Sequence, residues 1–168
     1  MKLEELKEEK QKGSYAGVKF SKKTNDDLAN YIKANKITGS VPKNKLHCTL
    51  LYSRKFLPDY KAKGKLSPPM IGKPKGFHIW KTQSGKHALV LTFSCPELVK
   101  RHKELMKVHD AQYDYDEYKA HVTLSYDVGE EFKIKDLKDI EDFVVNIEIV
   151  KEYQEDLDLD WADTNVKK

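Results

Sequence analysis

Leu46–Ser53 reads LHCTLLYS, and Ala120–Asp127, 74 positions on, reads AHVTLSYD. Histidine, threonine, leucine and tyrosine recur in register, four identities in eight positions. Both runs are rich in β-forming residues and are expected as strands. Upstream, Val18-Lys19-Phe20-Ser21 stands in the same relation to Leu91-Thr92-Phe93-Ser94 at an offset of 73, and a helical pattern follows each. The order strand, helix, strand bearing His-x-Thr therefore occurs twice, over about 14–53 and 87–127. Two copies at so long a period indicate a pseudo-two-fold duplication, not a solenoid.

The spacing has a chemical meaning. Residues i and i+2 of a strand project from one face, so His47 and Thr49 point together, as do His121 and Thr123. Cys48 and Val122 between them face the other way, where small apolar residues suit a core. Two such strands side by side place two imidazoles and two hydroxyls in one cleft. That set suits phosphodiester cleavage without a metal. A neutral imidazole accepts a proton from an attacking hydroxyl, and an imidazolium donates one to the leaving oxygen. The threonine hydroxyls can donate to non-bridging phosphate oxygens as charge develops there.

The rest of the chain reads as α+β. Leu3–Lys12 is a short charged helix or a frayed tail, and 1–13 stands apart as a charged N-terminal segment. Ser14–Ser21 is a strand. Thr24-Asn25-Asp26-Asp27 offers an N-cap, and Leu28, Tyr31 and Ile32 then predict a helix over 25–36. Residues 54–76, rich in proline and glycine, are expected to be an unstructured segment able to close over a ligand. Phe77–Thr82 and His87–Phe93 are strands. Pro96 opens a second helix, in which Leu98, Val99, His102, Leu105, Met106 and His109 keep the helical period. Tyr113–Tyr118 is an acidic aromatic loop, 143–157 contains the last long strand, and 155–168 is an acidic tail with Trp161 packed back.

The chain has 168 residues, which fits one domain spanning 1–168. Charged residues reach 35%, yet 31 basic and 27 acidic side chains nearly balance, leaving +4. Placement matters more than the sum. Residues 54–76 carry seven cations and one acid, whereas 127–163 carry fourteen acids and four lysines. Two cysteines cannot build a disulfide framework or a four-ligand zinc site. The charged N-terminus does not read as a signal peptide, and no run is long and apolar enough to span a membrane, so a cytoplasmic location is expected. His78 with His87, and His102 with His109, lack companions at metal-ligand spacing, and Asp156–Asp163 lacks the pattern of a calcium loop. No cofactor is expected.

His47-Cys48-Thr49-Leu50 and His121-Val122-Thr123-Leu124 resemble the paired motifs of the 2H phosphoesterase superfamily, over about Ser14 to Leu157. The KLHCTLLYS and KAHVTLSYD strands are most similar to those of the phage anti-CBASS nucleases. The resemblance implies a LigT-like fold, two pseudo-symmetric lobes of antiparallel sheet around a concave site. It implies metal-independent cleavage of 3′–5′ bonds in cyclic di- and trinucleotide defence signals, in the host cytoplasm for a phage-encoded protein. His47 and His121 would be the acid/base pair, and Thr49 and Thr123 the phosphate-binding pair. Tyr15 and Trp80 fit base stacking, Gly17 letting a ligand approach beside Tyr15, and a carboxylate of the last strand, Glu148 or Glu152 on one shared face, fits base reading. Opening of 2′,3′-cyclic phosphates at RNA ends and non-catalytic nucleotide sequestration remain alternatives. The acidic flank disfavours long nucleic acid, which leaves a small anionic ring as the expected partner.

Overall fold

A computed structural model describes residues 12–109, 111 and 117–158. Its strands are β1 (Lys12–Phe20), β2 (His47–Ser53), β3 (Gly64–Lys81), β4 (His87–Ser94), β5 (His121–Ser125) and β6 (Ile147–Asp158). Two helices, α1 (Lys22–Ala34) and α2 (Pro96–His109), complete the frame. Every pairing is antiparallel, in the order β2-β1-β6-β3-β4-β5. The α+β expectation holds. The expected Leu3–Lys12 helix, most of the 113–118 loop and the tail beyond Asp158 with Trp161 lie outside the described residues, and 155–158 belong to β6.

The two strand–helix–strand units share a register. In the first, Lys19 faces His47, Val18 faces Cys48 and Gly17 faces Thr49. In the second, Thr92 faces His121, Leu91 faces Val122 and Val90 faces Thr123. Each ladder then slips by one residue, between Ala16 and Gly17 and between Leu89 and Val90. The slip leaves Leu50 and Leu124 as the extra residues of two bulges, both fully buried. His-x-Thr therefore faces one side while the two residues after it are both in the core.

The long β3 joins the halves. Gly64–Gly72 pair with β6 and Lys73–Lys81 with β4, so one strand changes partner midway. The expectation of an unstructured 54–76 fails for its larger part. Strand prolines are tolerated where the ladder is broken, and the register of β3 shifts between Lys65 and Met70 and between Pro74 and Gly76. Residues 54–63 are also tied down. Glu152 accepts from Tyr60 Oη at 2.9 Å and Lys63 N–H at 3.1 Å, and Leu57 N–H donates to Ser14 Oγ at 2.8 Å.

Helix α1 starts earlier than expected because Ser21, not the Thr24–Asp27 run, caps it, accepting from Thr24 N–H at 3.2 Å. Its buried face carries Leu28, Tyr31 and Ile32 as read from the spacing, and Tyr31 stacks on Phe77 of β3 at 5.6 Å. Helix α2 buries Leu98, Arg101, His102 and Leu105. Through Arg101 it reaches β6, where Nε and Nη2 donate to Glu152 at 2.8 and 3.0 Å.

Glu152 is 1% exposed and Arg101 9%, so their pairing holds β6, α2 and 54–63 together through a desolvated contact. Glu152→Ala leaves the buried guanidinium with half-exposed Glu104 as its remaining carboxylate, and a loss of up to about 3–5 kcal/mol is expected in urea unfolding. Adding Arg101→Met removes the under-compensated charge and recovers part of that loss.

Candidate active site

Strands β2 and β5 are the last strands at either end of the sheet order, yet they lie against each other. The sheet curls until its edges meet, and side chains close the seam. The Cys48 thiol lies 3.6 Å from Tyr118 Oη, which donates to Thr49 O at 2.7 Å. The segment before β2 also pairs with β5, Val41 N–H to Leu124 O and Tyr126 N–H to Gly39 O, both 2.9 Å. Burial pushes the Cys48 thiol up to about 11, which leaves it a neutral packing group and not a nucleophile.

Both histidines are held identically. His47 Nδ1 lies 2.9 Å from Lys45 O, and His121 Nδ1 lies 2.9 Å from Lys119 O. A carbonyl partner requires Nδ1 to carry a proton, so Nε2 of the neutral ring is the basic nitrogen in each case. His121 titrates below the ordinary imidazole range, first because it is desolvated and also because His47 repels its charged form; the bond to Lys119 O opposes both. The two imidazoles thus sense each other across the seam.

Their surroundings differ. On the first half, His47 and Thr49 line a cavity of about 430 Å³ with Tyr15, Lys19, Tyr153 and Glu155. Tyr15 Oη and Thr49 Oγ1 are hydrogen-bonded at 3.0 Å, and Lys19 Nζ sits 5.2 Å from the centre of the Tyr153 ring. Burial pushes the Tyr15 phenol up, so it stays protonated and able to donate. The second half has Ala88 and Thr92 at the positions that match Tyr15 and Lys19. Trp80, directly across from Ala88 on β3, uses the space above that small side chain and packs edge-on to His121, with ring centroids 4.5 Å apart. It remains 39% exposed, which leaves part of the indole open to a ligand.

Thr123 projects with His121, as the register requires, but neither lines the smaller cavity. Trp80 also borders a larger groove of about 1360 Å³ between α2 and β3, edged by Lys75, Lys100, Lys103, Lys107 and Lys119. The His-x-Thr residues do not line it. Of the expected loop cations, Lys75 reaches this groove and none lines the smaller cavity.

The structure separates the two carboxylates proposed for base reading. A register shift in β6 between the partners of Lys19 and Phe20 puts Ile149 opposite Phe20 and Glu152 opposite Val18, on the core side. The expected shared face of Glu148 and Glu152 is lost at that irregularity. Glu152 is engaged by Arg101, Tyr60 and Lys63, away from the cleft. Glu148 is half-buried at the head of α1, its N–H donating to Thr24 Oγ1 at 3.0 Å and its carbonyl accepting from Ser21 N–H at 2.9 Å. Lys19, Tyr153 and Glu155 are among the cleft residues that the sequence did not point to. Gly17 faces Tyr153, and a Cβ there would stand 2.6 Å from the tyrosine ring. The glycine makes room for this ring, not for a ligand beside Tyr15.

Among the described residues no group of three or more His, Cys, Asp or Glu is arranged to hold a metal ion. No described helix is long and apolar enough to cross a membrane.

Because His121 protonates below the ordinary value of about 6.5, the unfolded chain binds a proton near pH 6 that the folded chain resists, and stability falls as the pH drops through that range. Trp80→Ala admits water to the ring, and its pKa, followed by NMR titration of the imidazole carbons, is expected to rise. An unmoved titration would show that the indole is not what desolvates His121.

A family model described as anti-CBASS protein Acb1 matches residues 12–164. Proteins of that name from Vibrio phage KVP40 and Enterobacteria phage T4 are 35% and 34% identical, over 98% and 90% of this chain and 99% and 92% of their own lengths. That of Acinetobacter phage Ac42 is 34% identical over 96% of this chain and 99% of its own length. The crystal structure of TT0787 of Thermus thermophilus gives a TM-score of 0.47 at 14% identity, covering 84% of this chain and 82% of that one, a likeness too distant to argue from. With the match running through both His-x-Thr strands and almost the full length of its relatives, the chain belongs to the anti-CBASS protein Acb1 family.

Proposed function

We infer that this protein blocks CBASS immunity by cleaving 3′–5′ bonds of cyclic di- or trinucleotide signals, without a metal, in the host cytoplasm. The observation that carries the reading is the pair of identically held imidazoles meeting where the sheet closes, each with a threonine two residues on. The name shared by the relatives supports the biological role.

The asymmetry of the site favours one division of labour. His121, desolvated beside Trp80, rests neutral at pH 7 and is the base for a ribose 2′-hydroxyl. His47 is the acid. The 2′-oxygen attacks phosphorus while its proton passes to Nε2 of His121. The P–O5′ bond breaks, and the leaving oxygen takes the proton from His47. The products are a free 5′-hydroxyl and a 2′,3′-cyclic phosphate on an opened chain. Thr49, oriented by Tyr15, and Thr123 donate to the non-bridging oxygens. Exposed indole at Trp80 offers a base a stacking surface.

Incubation with 3′,3′-cyclic dinucleotides in EDTA, followed by chromatography, is expected to give an opened product. A ring lacking 2′-hydroxyls is expected to persist. His47→Ala and His121→Ala should each lower kcat by about 10²–10⁴-fold while nucleotide binding is kept. Cleavage only of 2′,3′-cyclic mononucleotides would instead establish the RNA-end activity, and full activity in both variants would leave sequestration as the function.

A further inference from the structure

Four adjacent strands put a cation, or a group that becomes one, at directly opposed positions. His47 on β2 faces Lys19 on β1, Lys19 faces Lys151 on β6, and Lys151 faces Lys65 on β3. Cross-strand partners share a sheet face, so these side chains form one row that begins at the catalytic histidine. At about 4.8 Å between strands, the row extends roughly 14 Å from His47 to Lys65.

Like charges directly opposite one another oppose strand pairing. Sequence offers a ready remedy in Glu152 beside Lys151, but that carboxylate points to the other face and is taken by Arg101, Tyr60 and Lys63. Among the described residues, none of the three lysines makes an ion pair. Glu155, the acid lining the cleft, lies opposite Tyr15, four residues along β1 from Lys19, with Tyr153 between them. The second half-site has no equivalent, since Thr92 replaces Lys19 and bonds Gly76 O at 3.0 Å. A one-sided, uncompensated cationic row leading away from one catalytic histidine calls for an anion that extends beyond the reacting phosphate.

We propose that Lys19, Lys151 and Lys65 form a subsite for the phosphates of the cyclic oligonucleotide that are not being cleaved, lying on the His47 side of the scissile bond. The proposal rests on the function inferred above. It explains how a site built for one phosphate favours a ring with two or three: the remaining phosphates are held by β1, β6 and β3 while the reacting one sits between the histidines. The lysines bind and orient the ring, and they do not exchange protons with it.

The test is the double variant Lys65→Ala/Lys151→Ala, at the end of the row remote from the chemistry. For a 3′,3′-cyclic dinucleotide, KM is expected to rise about tenfold with kcat within twofold, and the dependence of kcat/KM on salt should weaken because fewer charges attract the substrate. For a 2′,3′-cyclic mononucleotide, which has one phosphate, the rise in KM should be several-fold smaller. Lys36→Ala/Lys133→Ala, which removes lysines from outside the row, controls for net charge. Equal effects on both substrates, or the same effect from the control pair, would overturn the subsite. If the wild-type protein fails to cleave the ring, the functional reading falls separately. Equilibrium binding of the same dinucleotide to wild type and double variant then decides, a roughly tenfold loss supporting the row and unchanged affinity removing it. Loss of affinity confined to a linear oligonucleotide would also refute the ring assignment.

Discussion

Closure of the sheet along β2 and β5 is the constraint on which the site depends. Edge strands present unpaired backbone groups, and most proteins blunt or cover them. Here the two edges are turned toward each other and joined by the Tyr118 hydroxyl, which meets the Cys48 thiol and the Thr49 carbonyl, and by the residues preceding β2. Because these edges carry the His-x-Thr motifs, the contact that removes the open edges is also the contact that brings the two motifs together. The bulges at Leu50 and Leu124 help, since each buries two consecutive residues behind the motif and increases local twist.

Support for that seam comes from behind. Tyr118, whose hydroxyl holds the Thr49 carbonyl, stacks on His102 at 4.3 Å, and His102 Nδ1 lies 2.8 Å from Leu50 O. Helix α2 is thereby fastened to β2 as well as to β6 through Arg101 and Glu152. The helix of the second unit braces the strand of the first. Tyr31 of α1 stacks on Phe77 of β3, the strand that pairs with β4 of the second unit. Neither unit is self-contained, and the distance between the histidines follows from this interlocking.

What could be read from the sequence was what depends on local periodicity. His-x-Thr at strand spacing, Leu28, Tyr31 and Ile32 on one helical face, and Pro96 at a helix start were all visible because neighbours in the chain determine them. The strand Gly64–Lys81 was hidden by its prolines, glycines and lysines, which read as loop until the breaks in its ladders are known. Glu152 read as a ligand-facing carboxylate because its partner Arg101 is 51 positions away, and one irregularity in β6 inverts which face it occupies. Tyr153 under Lys19 and the lysines of β6 and β3 owe their places to registers between strands far apart in the chain, for which one sequence carries no signal.

The same distinction bears on how a duplicated site would perform the proposed reaction, which is not symmetric. Proton transfer to and from one phosphorus requires one histidine to be basic while the other is acidic. Two copies of a strand with identical Nδ1 contacts would supply two equivalent imidazoles and no preference. The backbone ladders preserve that equivalence, so the difference has to come from side chains outside the motifs. Tyr15, Gly17 and Lys19 of β1 correspond to Ala88, Val90 and Thr92 of β4, and at each position the size or charge changes. Small Ala88 leaves room for Trp80, which packs edge-on against His121, whereas Gly17 leaves room for Tyr153, which underlies a lysine opposite His47. Geometry is thus kept by the repeated strands, and the difference between the two half-sites arises at three positions on the strand next to each histidine.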